Sequence, residues 1–236
     1  MRILRAGAWA LVLLLPSFAA ADSCTTMSVT ALLGTSCTIG DKSFTFDANA
    51  GGIDAGLAGL VFNPITTNPL SPGFSLSAAA PISLSGQGRL SLDIYYTVST
   101  IGGNATLTSA TINLNNPNLT GTGTTNFVDA FNLLGTVGPL PEVCISTPDP
   151  ALLGCSQTVP FGGVYSVTRP FAAPVSTAPA DFGITLQSNG TGTSTFNSAE
   201  FLFNQNASPV PEPATLSLIT LGLGAIAQLR RRYKRL

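Results

Sequence analysis

From Leu90 to Val98 an apolar side chain stands at every second position. Leu90, Leu92, Ile94, Tyr96 and Val98 alternate with Ser91, Asp93, Tyr95 and Thr97. A helix repeats its face every 3.6 residues, so strict period two means a strand with one face buried. The same alternation recurs at Phe44 and Phe46, at Phe74, Leu76 and Ala78, and at Phe182, Ile184 and Leu186. GGVYSVTRPF and EFLFNQ are further strand candidates. In ATLTSATINLN, Leu107 is out of phase with Ile112 and Leu114, and a bulge near Ser109 would reconcile the two halves. Gly- and Asn-rich turn signals separate the runs, at 102–104, 115–118, 120–123 and 188–190. The expected body is therefore all-β, an antiparallel β-sandwich (jelly-roll or Ig-like) or an open barrel. No useful helical period appears in it. DAFNLLG reads as one helical turn, and TRPFAAPVSTAPAD as a long connection whose Pro170, Pro174 and Pro179 blunt an exposed edge.

Composition narrows the setting. Charged residues make up 9% of the chain, against about 25% in typical soluble proteins, and histidine is absent. Such a surface is wetted by hydroxyls, amides and backbone, which suits an extracellular β protein. Seven of the ten basic residues sit at the two ends, and only Lys42, Arg89 and Arg169 lie between. From Asp22 to Ser208, three basic residues face ten acidic ones, a net of −7. An acidic, lysine-poor body cannot neutralise phosphates, so nucleic acid is excluded as a partner.

Residues 1–21 have the three parts of a secretory signal peptide: Arg2 and Arg5, the apolar run Ala6 to Leu15, and small residues ending in Ala19 and Ala21 at the cleavage positions. Export makes the four cysteines candidates for disulfides, with three possible connectivities. Short loops close most readily, which favours Cys24 with Cys37 and Cys144 with Cys155. Neither histidines nor Cys-x-x-Cys spacing supports a metal site, and no cofactor is expected.

At the other end, Pro211, Glu212 and Pro213 precede sixteen residues, 214–229, that carry no charge. As a helix they would span about 24 Å, a short membrane crossing helped by snorkelling arginines and local thinning. Arg230, Arg231 and Arg232 in the basic tail 230–236 would stop transfer and stay cytoplasmic. The prolines cannot lie inside a helix and hold an extended peptide that a protease cleft can bind. Val210 to Thr215, the apolar segment and the arginine cluster together resemble the PEP-CTERM sorting signal of Gram-negative bacteria. The resemblance covers only the last 27 or so residues. It implies that exosortase, a membrane-embedded cysteine protease and transpeptidase, recognises Pro211, Glu212 and Pro213 as a substrate site and removes the tail. It also implies an inner-membrane-anchored precursor, later delivered to the cell surface or extracellular matrix, in a producer of exopolysaccharide.

The expected organisation is a signal peptide (1–21), a body (22–204), a linker with the Pro-Glu-Pro motif (205–213), a transmembrane helix (214–229) and a basic tail (230–236). Without histidine, the usual catalytic triads cannot be built, and no Gly-x-Ser-x-Gly or Ser-x-x-Lys precedes a suitable partner. Asp47-x-Asn49-x-Gly51-Gly52 opens like a calcium loop, but the closing Glu is missing, with Ala58 in its place. The sequons at Asn104, Asn118, Asn189 and Asn206 are what chance gives in a Ser/Thr/Asn-rich chain. Tyr95 points away from the buried face and is expected to be exposed. Phe44, Phe46, Phe182 and Phe201 are expected in the core. The expected function is that of a non-enzymatic surface or matrix protein, with extracellular polysaccharide as a further partner. The alternatives are a carbohydrate-binding module, or a glycoside hydrolase using paired acids, with Asp93 on the polar face of the clearest strand.

Overall fold

The computed structural model describes residues 22–101, 105–120, 126–133, 141–147 and 163–206. The signal peptide, Cys155, the Pro-Glu-Pro motif, the apolar segment and the arginine cluster lie outside these residues. Among the described residues no helix is long and apolar enough to cross a membrane.

The strands are β1 (Met27–Ser28), β2 (Ser36–Ile39), β3 (Lys42–Ile53), β4 (Val61–Ile65), β5 (Gly73–Thr100), β6 (Leu107–Asn115), β7 (Asn118–Thr120), β8 (Asn126–Leu133), β9 (Glu142–Thr147), β10 (Val164–Val175) and β11 (Thr177–Gln205). Among the described residues one 3₁₀ turn, Val29–Leu32, follows β1. All the strands belong to one antiparallel sheet.

Its spine is the pairing of β5 with β11, strands of 28 and 29 residues. Two register shifts interrupt that ladder. Residues 78–81 of β5 bulge opposite Asn197, and residues 190–192 of β11 bulge opposite Gly86. Gly190 has φ +99°, a conformation that a side chain would strain. Bulges bend a strand sharply, and here they fold the ribbon over. Phe182 and Phe201 belong to the same strand, yet their rings stand 5.3 Å apart. Nineteen residues of straight strand would separate them by roughly 60 Å.

The folded ribbon divides the sheet into two facing halves. The first half joins β3, the end of β5, the start of β11, β8 and β9. The second joins β1, β4, the start of β5, the end of β11, β6 and β10. Side chains of the inner faces fill the space between them. Phe74 packs against Phe44, Phe46, Tyr96 and Phe182 of the first half and Phe62 and Phe201 of the second, with centroids 5.0 to 6.3 Å apart. The expected core residues Phe44, Phe46, Phe182 and Phe201 are all buried. Full burial of each such ring contributes about 1.5–3 kcal/mol over leaving it exposed.

The structure corrects two local expectations. Residues 129–133 of DAFNLLG fall in strand β8 and not in a helical turn, because Val128 and Ala130 alternate inward against Leu186 and Ile184. TRPFAAPVSTAPAD is not a connection: β10 and the start of β11 occupy nearly all of it. Pro170 and Pro174 do lie on β10, whose ladder is with β6 alone. The expected phase change in β6 occurs as a bulge at Thr108, where Asn204 and Gln205 pair with Ser109 and Leu107.

A buried polar cluster closes one end. The only lysine of the body, Lys42, is fully buried and donates to Gln205 Oε1 (2.6 Å) and Asp41 Oδ1 (3.1 Å). Gln205 in turn donates to Asp41 Oδ2 (2.6 Å). Burial lowers the Lys42 pKa while the Asp41 carboxylate opposes the shift. The ordered sheet thus runs to Gln205, just past the expected boundary of the body. Cys24 and Cys37 form a disulfide that staples the chain entry to β2.

Candidate functional site

Period two sends every second residue of the first half away from the core. On β5 these are Ser91, Asp93, Tyr95 and Thr97, and on β11 they are Asp181, Gly183 and Thr185. On β8 they are Asp129 and Phe131, and on β9 Glu142 and Cys144. Four carboxyls that are far apart in the sequence therefore share one sheet face.

They form two pairs. Asp181 and Asp93 stand diagonally across the β5–β11 ladder, close enough for their carboxyls to interact, and the Tyr95 hydroxyl lies beside Asp93. Burial first, and then the neighbouring Asp93 carboxyl, push Asp181 from 3.8 to about 8. The two aspartates raise the Tyr95 hydroxyl as well. Asp129 and Glu142 make the second pair on neighbouring strands, with oxygens within 4.8 Å of each other. Burial first, and the Glu142 charge second, push Asp129 from 3.8 to about 8, while Arg89 pulls against the shift. Burial raises Glu142 too. Asp93, Asp129 and Asp181 each keep a buried Oδ1 with no hydrogen-bond partner. Asp93 stands opposite Gly183 and Asp129 opposite Thr185. Strand geometry then puts the two pairs about 12 Å apart between Cα atoms.

Two glycines make room for this arrangement. A Cβ at Gly183 would collide with the ring of Phe131, which lies across the strand between the two pairs. A Cβ at Gly51 would collide with the carboxylate of Asp93, because the β3 bulge folds over it. Residues Asp47 to Ile53, read above as the opening of a calcium loop, are part of bulged strand β3. The Asp54 carboxylate is taken up by the Ser91 backbone N–H (2.6 Å) and hydroxyl (3.3 Å). Cys144 lies within 4.8 Å of Asp129 and Glu142, but it is disulfide-bonded and offers no thiolate to a metal.

Tyr95 is exposed, as its phase requires. Asp93 is not a simply solvated residue, because its partners are the acid and the tyrosine beside it. The grouping of Asp129, Glu142 and Asp181 escaped sequence reading. Phase alone could place each on an outer face, but not on the same one, since that depends on which strands pair. Of the residues singled out in the sequence, Cys24 and Cys37 are bonded to each other and Cys144 is bonded. Ala19, Ala21, Cys155, Pro211, Glu212, Pro213, Arg230, Arg231 and Arg232 lie outside the described residues.

Comparison with known proteins gives a family model for the C-terminal segment and several distant structures, among them the three that follow. No curated protein matches the chain. The enzymatically active domain of tailspike protein 4 of bacteriophage CBA120 overlaps 70% of the chain at 13% identity and a TM-score of 0.24, and the chain spans 20% of that structure. The family GH12 endoglucanase 3 of Trichoderma harzianum overlaps 76% of the chain and 97% of its own length, at 12% identity and a TM-score of 0.25. A family 12 xyloglucanase of Bacillus licheniformis overlaps 77% and 98%, at 11% identity and a TM-score of 0.23. Overlaps this loose say nothing of activity, and the fold rests on the strand pairings given above. Residues 209–235 match the family model of the PEP-CTERM protein-sorting motif. The chain therefore ends in a PEP-CTERM sorting motif, the mark of an exported surface protein processed by exosortase.

Proposed function

We propose that the body is a non-catalytic surface or matrix module, released by exosortase into the extracellular polysaccharide layer. The observation that supports it most is the placement of Asp181 beside Asp93 on paired strands, near enough for the two carboxyls to couple. Two carboxyls close enough to share a proton leave little room for a water or a glycosidic oxygen between them, and glycoside hydrolysis needs about 5 Å or more. Pro211, Glu212 and Pro213 act as the recognition residues of the tail. Expression of wild type and a Pro211→Ala/Glu212→Ala variant in a host carrying exosortase tests the sorting step. Wild type should be shortened and released while the variant stays full-length in the membrane fraction. Equal processing of both would overturn it. Binding of the recombinant body to a glycan array tests the polysaccharide partner, and an empty array would remove it.

A second reading is favoured by the other pair. Asp129 and Glu142 approach within 4.8 Å, and Asp129 stays protonated to about pH 8. A neutral acid beside a second carboxylate offers the acid and base of a glycoside hydrolase, provided that substrate opens the pair to the roughly 5 Å such chemistry needs. Reducing-sugar release from polysaccharides, lost in both Asp129→Asn and Glu142→Gln, would establish that reading. No release by wild type would dismiss it.

A further inference from the structure

We propose that, while the chain is still anchored, the end of the sheet from which its tail leaves rests on a phospholipid bilayer, with Leu70 and Ile101 as the contacting side chains. The inference rests on reading residues 214–229 as the membrane-spanning segment.

Hydrogen bonds gather the parts of this end. The Gln205 backbone N–H donates to Leu70 O (3.0 Å), and its side chain donates to Pro69 O (3.3 Å) and Asp41 Oδ2 (2.6 Å). The Ile101 N–H donates to Asp41 O (2.7 Å), and the Asn206 N–H to Thr106 O (3.3 Å). Leu70, Ile101 and the last described residue therefore form one patch. The Lys42–Gln205–Asp41 cluster behind it holds Gln205, the end of the last strand, in place.

Exposure and charge distinguish this end. Among the described residues the exposed large apolar side chains are Leu70, Tyr95, Ile101 and Val164. Two of the four flank the exit. Tyr95 belongs to the acidic face, and Val164 lies at the far end of the second half. There β6 pairs Asn115 with Val164, eight residues or about 26 Å from Leu107, which pairs with Gln205. The body carries a net −7, yet residues 55–88 and 94–128 contain no charge. At the exit, Asp41 and Lys42 neutralise each other at 3.1 Å. Asp22 lies at the foot of the β2–β3 turn, where its carbonyl accepts from the Thr38 N–H, and the cation Arg169 stands opposite Ala110, three residues from the level of Leu107 and Gln205. The paired acids begin at the level of Tyr95 and Asp181, six residues or roughly 20 Å from Ile101. That exceeds the Debye length of about 8 Å, so they do not repel an anionic surface in contact with the exit. Among the described residues, the acidic body thus presents at this end two exposed apolar side chains beside an internally neutralised ion pair.

The tether sets the reach. Asn206 and Ala214 are eight residues apart, at most about 29 Å when fully extended. Tethering at that range converts weak apolar contact into an effectively intramolecular event, so two side chains suffice.

The test uses the anchored chain. Trp9 is the only tryptophan, so Trp9→Phe supplies a silent background for Leu70→Trp, Ile101→Trp and, as control, Val164→Trp. Each full chain is reconstituted into phosphatidylethanolamine/phosphatidylglycerol vesicles with brominated acyl chains. Emission at positions 70 and 101 should shift to the blue and be quenched at least twofold, with position 164 unchanged. Positions 70 and 101 as water-exposed as 164, in chains that float with the vesicles, would overturn the inference and leave the anchor reading intact. Chains that do not float would overturn both. Burial of 70 and 101 only after exosortase is added, without bromolipid quenching, would assign the patch to the enzyme and overturn the lipid contact.

Discussion

The outer faces of the two half-sheets contrast sharply. On the second half, neutral polar side chains pair across strands: Asn63 with Ser77, Asn115 with Ser198, Thr111 with Thr168, and Asn204 with Ser71, Ser109 and Thr111. Its single acid, Glu200, accepts from Asn113 at 2.8 Å. On the first half, four carboxyls stand together and three of them keep a buried oxygen without a partner. Amides and hydroxyls can each donate and accept, so a ladder of them satisfies itself at any pH. Carboxyls satisfy one another only by holding protons, which ties that face to pH. One half is built for indifference to its surroundings, and the other responds to them.

The largest expected effect joins the halves. Phe74→Ala removes the ring that touches both inner faces and should cost about 3–5 kcal/mol in urea unfolding. A cost confined to one half, seen as two separate transitions, would mean that the halves fold independently. The acidic face comes next. A carboxyl whose folded pKa is raised contributes no penalty below its unfolded value and destabilises progressively as pH rises towards its folded one. For Asp129 that window runs from 3.8 to about 8. Stability should therefore fall with rising pH across it, by up to about 1.4 kcal/mol per pH unit from this group. Asp129→Asn should flatten the slope and gain on the order of 2 kcal/mol near pH 7.5. Asp181→Asn should flatten it less, since its carboxyl is more exposed. A wild-type stability that does not change between pH 4 and 8 would remove the contrast between the faces.

Smaller effects sharpen the comparison from the other side. Asn204→Ala strips three hydroxyls of a partner and should cost about 1–2 kcal/mol, equally at pH 5 and pH 8. A pH-dependent cost would show that the two faces are coupled. Smallest is Glu200→Gln, which keeps the bond with Asn113 and should change the unfolding midpoint by no more than about 0.5 kcal/mol.

Much of the fold was legible because a strand writes its faces into alternate residues. Leu92, Ile94, Tyr96, Phe182 and Ile184 announced both class and core. Where proline or helix-forming residues obscured the signal, as in FVDAFNL and TRPFAAPV, local preference pointed away from strands that neighbouring ladders nevertheless hold. The site was less legible. Asp93, Asp129, Glu142 and Asp181 are each unremarkable in sequence, and only the meeting of β5, β11, β8 and β9 makes them neighbours.

By itself the sequence determined destination and periodicity: the PEP-CTERM motif at 209–235, and strands whose phase separates inside from outside. Both are local properties, carried by residues within a few positions of one another. Only the tertiary structure decided that Lys42 is buried against Gln205, that Phe182 meets Phe201, and that two pairs of acids share a face. Those outcomes depend on where β5 and β11 bend and which strands they pair with, and pairing is decided by contacts between residues tens of positions apart.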